Sequence, residues 1–355
     1  MPQRSRKSTV RWTSILKRLL PAPNRNQKRT QKWHTEQTSP HCRVTVILYP
    51  RSCGYTRSRR ESWTSQARFY TASRSSIINT FSNKIAFITG GAAGIGLGMA
   101  KAFGARGMKI VIADIAPIPL EAARAELAAA GVTVLALQLD VTDRAAVKAA
   151  AAKVMATFGA IHLVCANAGV SGHIGPLQDG SDQDWDWVVD VNLRGSINTV
   201  QAFLPYLLKN DKDGHIVLTS SISGLRVHRP NRGQGMYNTT KFALVGYAEA
   251  LALDLENYGI GVSVVCPGVV NTALSHSGEN RPAKYGGAFR VREDFELAKM
   301  SSQGTDPFQF GRWVARAIER NQLFVITHDT DRAQVEDRHR RILKAFDDCP
   351  DLTRS

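Results

Sequence analysis

Long apolar runs are absent from this 355-residue chain, and none approaches the roughly 20 residues that a membrane-spanning helix needs. No membrane partner is therefore expected. Cysteine is scarce: the five residues (Cys42, Cys53, Cys165, Cys266 and Cys349) are odd in number and lack paired spacing, which argues against a disulfide framework. Cys165 and Cys266 fall inside apolar runs and read as small core residues, which suits a reducing compartment. No His/Cys/Asp cluster has ligand spacing, so no metal is expected. Acidic residues are nearly missing from the first 83 positions, which hold 17 Lys/Arg against Glu36 and Glu61 alone. The net charge of +16 thus belongs to a leader of net +15, and the rest, with 29 basic and 28 acidic residues, is close to neutral. A basic chain suggests nucleic acid only until its charge is located. The body carries no such excess, and no nucleic-acid partner is expected.

The leader, residues 1–80, is rich in Arg, Ser and Thr and shows one amphipathic stretch. There Trp12, Ile15, Leu16, Leu19 and Leu20 oppose Arg11, Lys17 and Arg18 until Pro21 stops the pattern. That composition describes an organelle transit peptide, and Arg68-Phe69-Tyr70-Thr71 is similar to a mitochondrial processing site. An upstream extension without a fold is the alternative. The expected location is accordingly cytoplasmic, or the mitochondrial matrix if the leader is a transit peptide.

From residue 84 onward, short apolar runs alternate with helical patterns. The runs are 85–89, 110–113, 134–139, 161–166, 216–219, 262–266 and 323–327; the helical patterns lie near 97–106, 117–130, 143–158, 182–209, 237–258 and 307–321. Such alternation predicts an α/β fold, one doubly wound domain of about seven parallel strands with helices on both faces. The domain is expected over 84–330, with a lid at about 271–306 and a C-terminal tail over 331–355. The stretch that organises the whole is Lys84 to Gly107. Here a short apolar run enters a turn holding Gly90, Gly91, Gly94 and Gly96 and leaves on a helix. Bare backbone before a helix N-terminus lets a diphosphate come close to free N–H groups.

In such a sheet, ligands bind beyond the C-terminal ends of the strands. Asp114 ends the second run, eighteen positions after Gly96. A carboxylate there accepts from the ribose hydroxyls and repels a 2′-phosphate. Its neighbours Ile115 and Ala116 carry no cation, which favours NAD over NADP. Asp140-Val141 and Asn167-Ala168-Gly169 end the next two runs. Tyr237 and Lys241, four apart on one helical pattern, share a face. A free phenol has a pKa of about 10, and a neighbouring cation is expected to lower it into a usable range. Ser220 and Ser221 follow the run ending at Thr219, where a serine hydroxyl can donate to a substrate oxygen. Asn192 lies mid-helix, where asparagine has poor propensity, and by itself reads as a polar helix residue.

Taken in order, Thr89-Gly90-x-x-x-Gly94-x-Gly96, Asn167-Ala168-Gly169, Asn192, Ser221, Tyr237-x-x-x-Lys241 and Cys266-Pro267-Gly268 resemble the short-chain dehydrogenase/reductase family. The resemblance spans about 84–328. It implies a Rossmann-like domain and an NAD-dependent oxidoreductase that interconverts a secondary alcohol and a ketone. Tyr237 would be the general acid/base, Lys241 its activator and a ribose ligand, Ser221 the substrate-oxygen ligand, and Asn192 the anchor of a water-mediated relay. The cofactor contacts implied are Gly90, Gly94, Ile95, Gly96, Asp114, Asp140, Val141, Asn167, Ala168, Gly169, Tyr237, Lys241, Pro267, Gly268, Val270 and Thr272. A homo-oligomer, dimer or tetramer, is implied too. A non-catalytic dinucleotide-binding sensor or scaffold of the same fold is the alternative, although a pure binder has no need of the Ser/Tyr/Lys/Asn set.

Ser221 and Tyr237 are sixteen apart, slightly more than is usual in the family, so the choice among Ser220, Ser221 and Ser223 stays open. The extra residues fall in Arg226–Gly233, a run with three Arg and one His that would border the cleft and touch an anionic substrate, or else be a solvated loop. The segment Arg281-Pro282-Ala283-Lys284-Tyr285-Gly286 is similar to one in bacterial dehydrogenases of bulky aryl-bearing secondary alcohols. Arg281 and Lys284, by charge alone, would also suit a carboxylated substrate. His162 and His215 are expected to be packing or edge residues, and Trp185 and Trp187 to serve packing or a subunit interface.

Overall fold

The computed structural model describes Ile78 and residues 80–210, 213–227, 233–290 and 302–350. The leader's amphipathic stretch and processing site, Cys42, Cys53, residues 228–232 of the extra loop, 291–301 of the lid and the end of the tail lie outside the described residues.

Seven strands form one parallel sheet in the order β3-β2-β1-β4-β5-β6-β7. They are β1 (Ile85–Thr89), β2 (Lys109–Asp114), β3 (Val134–Gln138), β4 (Leu163–Ala166), β5 (Gly214–Thr219), β6 (Ile260–Cys266) and β7 (Phe324–Ile326). Alternate residues of β1 to β6 feed opposite cores, as a two-residue period dictates. Ile85 and Phe87 face one side, where α3 (Arg144–Phe158), α5 (Gly195–Leu207) and α6 (Gly235–Leu255) contribute Val154, Phe203 and Leu244. Ala86 and Ile88 face the other, against Phe103 of α1 (Gly94–Gly104), Leu127 of α2 (Pro117–Ala129) and Phe310 of α7 (Pro307–Glu319). Gly98 and Gly311 set the close crossing of α1 and α7. A Cβ on Gly98 would lie 2.0 Å from the Pro307 carbonyl oxygen, and one on Gly311 would lie 2.5 Å from that of Gly98.

Helix ends follow from local chemistry. Asp143 caps α3 by accepting from the N–H groups of Ala145 and Ala146, and Gly159 closes it at φ +76°, a conformation that favours glycine. Ser181 and Asp184 form a reciprocal capping box on α4 (Asp182–Val189).

Three departures from the sequence expectations bear on the site. The single helix expected over 182–209 is α4, then a π-helical turn, Asp190–Arg194, then α5; the π turn carries Asn192. Ordered packing begins before residue 84, because Ile78 is fully buried and Phe81 stacks on Phe103 with ring centroids 5.7 Å apart. The segment expected to be a tail contains α8, Arg332–Asp347, no residue of which is fully buried. Ion pairs at helical spacing, Arg332–Glu336, Arg341–Asp337 and Lys344–Asp348, support it along its own surface.

Candidate active site

The sheet order turns between β1 and β4, and the polar side chains at those strand ends are knitted together. Thr89 Oγ1 donates to the Cys165 carbonyl at 3.3 Å and accepts from the N–H groups of Asn167 and Ala168 at 2.9 and 3.0 Å. Asn167 Nδ2 donates to the Thr89 carbonyl at 2.9 Å, and its Oδ1 accepts from Thr219 Oγ1 at 3.0 Å. One hydrogen-bonded seam therefore fixes the ends of β1, β4 and β5.

Around that seam opens a cleft of about 1160 Å³. Every residue named above as a cofactor contact lines it except Gly96, and so do Ser221, Tyr237 and Lys241. Gly96 packs behind the loop instead: a Cβ there would lie 2.0 Å from the Gly90 carbonyl oxygen. Gly90 adopts φ +64°, with its missing Cβ 3.0 Å from Ala168 Cα, so only glycine lets the loop approach β4 this closely. No side chain caps α1, and its first turn holds no acid. Its first N–H groups are thus left for a ligand. Asp114 is preorganised, with Oδ2 accepting from Ala92 N–H at 3.2 Å and Oδ1 from Ala116 N–H at 3.1 Å. A glycine cradle, an uncapped helix start and a positioned carboxylate fit a dinucleotide.

Tyr237 and Lys241 leave the first turns of α6, both buried. Lys241 Nζ donates to the Thr219 carbonyl at 2.8 Å and lies 5.3 Å from the centroid of the Tyr237 ring. Burial pushes the phenol up to about 12, opposed by a hydrogen bond with the Ser221 side chain. Burial also pushes the ammonium down to about 8. Desolvation is the largest influence on both groups, and Lys241, expected from spacing to lower the Tyr237 pKa, is bonded to the Thr219 carbonyl of β5.

The three serines separate by their partners. Ser220 is buried and donates to the Lys241 carbonyl at 2.8 Å, Ser221 Oγ accepts from Ser223 N–H at 3.1 Å and reaches the phenol, and Ser223, in the turn Ile222–Gly224, lines the cleft too. Asn192 is fully buried and does not line the cleft. Its Oδ1 accepts from Val170 N–H at 2.7 Å, and its Nδ2 donates to the Val170 carbonyl at 3.0 Å and to Thr240 Oγ1 at 3.1 Å. Its own carbonyl accepts from Ser196 Oγ at 2.8 Å. Asn192 thus clamps the strand end after Gly169 to the helix of Tyr237, and the π turn presents it there.

Sequence reasoning missed Asp331 and Gln334, which line the cleft with Trp187, Tyr285 and Arg226. Arg281 and Lys284, expected to draw a carboxylate, do not line the cleft. Arg281 donates to Asp184 at 2.6 Å and lies over the rings of Trp187 and Phe289, while Lys284 donates to Thr142 Oγ1 at 3.0 Å and lies 3.5 Å from Asp140. With Tyr285, whose hydroxyl donates to Asp190 at 2.8 Å, they fasten the lid segment. His215 and His162 are packing residues as expected. His162 Nδ1 accepts from Ile85 N–H at 3.2 Å. Among the described residues no helix is long and apolar enough to cross a membrane, and none of their side chains cluster as a metal site.

The short chain dehydrogenase family model matches residues 84–282, more than half of the chain. This chain belongs to that family. It is a short-chain dehydrogenase, an oxidoreductase with the family's seven-stranded Rossmann-like sheet. It is similar to the C alpha-dehydrogenase of Sphingobium sp., 35% identical over 266 residues that cover 74% of this chain and 86% of the relative. Among solved structures it is similar to a short-chain dehydrogenase from Burkholderia phymatum in complex with NAD. That likeness has a TM-score of 0.70 and 32% identity, and covers 75% of this chain and 96% of the other. A short-chain dehydrogenase from Burkholderia cenocepacia in complex with NADP matches with a TM-score of 0.59 and 28% identity, over 70% of this chain and 96% of the other. Short-chain dehydrogenases with folds like this one therefore bind either nicotinamide cofactor.

Proposed function

We propose that this short-chain dehydrogenase interconverts a bulky aryl-bearing secondary alcohol and its ketone with NAD. The observation that carries the reading is the convergence of Ser221, Tyr237 and Lys241 on one cleft beside the glycine cradle. When bound, the nicotinamide supplies a hydride acceptor or donor. The residues do the rest. Ser221 donates to the substrate oxygen, and Tyr237 takes or returns the hydroxyl proton. Lys241 exchanges protons with the phenol and binds the ribose. Asn192, by clamping Val170 and Thr240, keeps β4 and α6 in register while this happens.

Asp114 supports NAD, since its carboxylate stands where a 2′-phosphate would be repelled and has no described cation paired with it. The aryl substrate is supported by the apolar wall, where Trp187, Leu274, Ile222 and Tyr285 face the cleft, and by the likeness to the C alpha-dehydrogenase. Self-association belongs to the same reading, supported by the exposed Leu208, Leu253 and Tyr258 on or just beyond α5 and α6. The test is turnover of aryl and aliphatic secondary alcohols side by side, each with NAD and with NADP. Preference for aryl alcohols and for NAD is expected; preference for sugars or small aliphatic alcohols, or for NADP, would overturn the corresponding half.

A further inference from the structure

Arg226 and Asp331 belong to none of the strand ends that hold the dinucleotide residues, yet both line the cleft with Ser221 and Tyr237. Arg226 follows Ser221 through the turn Ile222–Gly224, and Asp331 opens α8. Arg226 is only 6% exposed, and its Nε and Nη2 both donate to Asp331 Oδ1, at 2.9 and 2.5 Å. Asp331 Oδ2 accepts from Thr330 Oγ1 at 3.3 Å. The pair is neutral overall but incomplete. Arg226 Nη1 is closed to solvent and lacks a hydrogen-bond partner, and the same is true of Oε1 of Gln334, which also lines the cleft. A buried donor and a buried acceptor left open in one wall are costly unless something satisfies them.

Charge decides what that something is. Among the described residues that line the cleft, the Lys and Arg cations are Lys241 and Arg226, and Asp331 already neutralises the second. A substrate carboxylate here would meet Asp331 as much as Arg226, and it cannot donate to Gln334. A hydroxyl accepts and donates, so it suits both groups once their side chains turn towards the cleft they line. We propose that Arg226, Asp331 and Gln334 form a specificity subsite for a hydroxyl carried on the substrate away from the reacting carbon. This deepens, and rests on, the aryl-alcohol reading.

The test is the binding of aryl ketones to the protein with NADH, by calorimetry. The ketones differ only in one ring substituent (hydroxyl, methyl or carboxylate), on the first ring or on a second ring in ether linkage. In the wild type the hydroxyl ketone should bind about 10-fold or more tighter than the other two, the effect of a group that would otherwise leave buried partners unpaired. Asp331→Asn, which frees the Arg226 charge, should raise carboxylate binding relative to hydroxyl by about 10-fold or more. Asp331→Glu should keep the wild-type order. Gln334→Leu should erase the hydroxyl-over-methyl preference with the ion pair intact. Melting temperature and NADH affinity check that each variant is folded. Equal binding of hydroxyl and methyl ketones in the wild type, or an unchanged order in Asp331→Asn, overturns the subsite even if aryl alcohols turn over. The predicted preferences without any turnover would overturn the reaction and keep the subsite. Binding of NADH with no aryl ketone bound would overturn both.

Discussion

Lys241 Nζ is bonded to the carbonyl of Thr219, at 2.8 Å, on the strand whose end carries Ser221. The ammonium of α6 is thereby tied to β5, and through Thr219 Oγ1 to Asn167 and the ends of β1 and β4. Lys241 and Tyr237, one helical turn apart in sequence, are both stripped of water, which moves the lysine down to about 8 and the tyrosine up to about 12. Of the two, Lys241 gives up its proton first, near the lower value.

That ordering sets the pH dependence. Alcohol oxidation needs a proton vacancy on the pair, so its kcat/KM should rise about tenfold per pH unit and level off above about pH 8. Ketone reduction needs the fully protonated pair and should run the other way, flat below that value and falling above it. Lys241→Met leaves the phenol alone and should push the rise in oxidation towards the tyrosine value of about 12. A rise that stays in place in this variant would contradict the shared-proton account.

His328 braces the loop that follows β6. Its Nδ1 accepts from Gly268 N–H at 3.1 Å, its Nε2 pairs with Thr305 Oγ1 at 2.9 Å, and Thr305 in turn bridges Val270. The ring fills the space a Cβ on Gly268 would need, 2.7 Å from Cγ. His328→Ala should weaken cofactor binding by about 1–3 kcal/mol, the cost of leaving the loop amide unpaired. kcat should change little, and His328→Asn should recover part of the loss. Isothermal titration with NADH and steady-state kinetics decide it.

How far the chain's own letters disclose this site depends on sequence distance. The glycine loop and the Tyr237/Lys241 pair are local patterns, and the structure brings them to one cleft. The lid charges mislead for the opposite reason: Arg281 finds Asp184 across 97 residues and Lys284 finds Thr142 across 142, pairings that no local spacing signals. The same holds for Arg226 and Asp331, 105 apart. Asn192 looks like an ill-placed helix residue until the π turn supplies its reason. α8 escapes notice because no residue of it is fully buried and ion pairs support it along its own surface.

His215 makes stability sensitive to acid. It is fully buried, Ser263 Oγ donates to the Gln322 carbonyl at 2.6 Å, and His215 Nε2 is therefore left to donate to Ser263 Oγ at 2.8 Å. Nδ1 has no partner, and burial pushes the ring down to about 3. The unfolded chain takes up this proton below about 6.5 and the folded chain does not. Stability is therefore lost as pH falls from about 6.5 towards 3, by up to about 1.4 kcal/mol per unit. Urea unfolding at several pH values should show a shallower acid loss in His215→Gln. Parallel curves for variant and wild type would contradict the assignment.

The most direct measurement is turnover by Tyr237→Phe in the intact chain, alongside its affinity for NADH. The substitution removes one oxygen from a buried ring and leaves Ser221, Lys241 and the glycine cradle in place. The account predicts cofactor affinity within about twofold of wild type and a loss of about 10²- to 10⁴-fold in kcat/KM, the range for removing a general acid/base. Turnover within a few-fold of wild type, with the cofactor still bound, would contradict it.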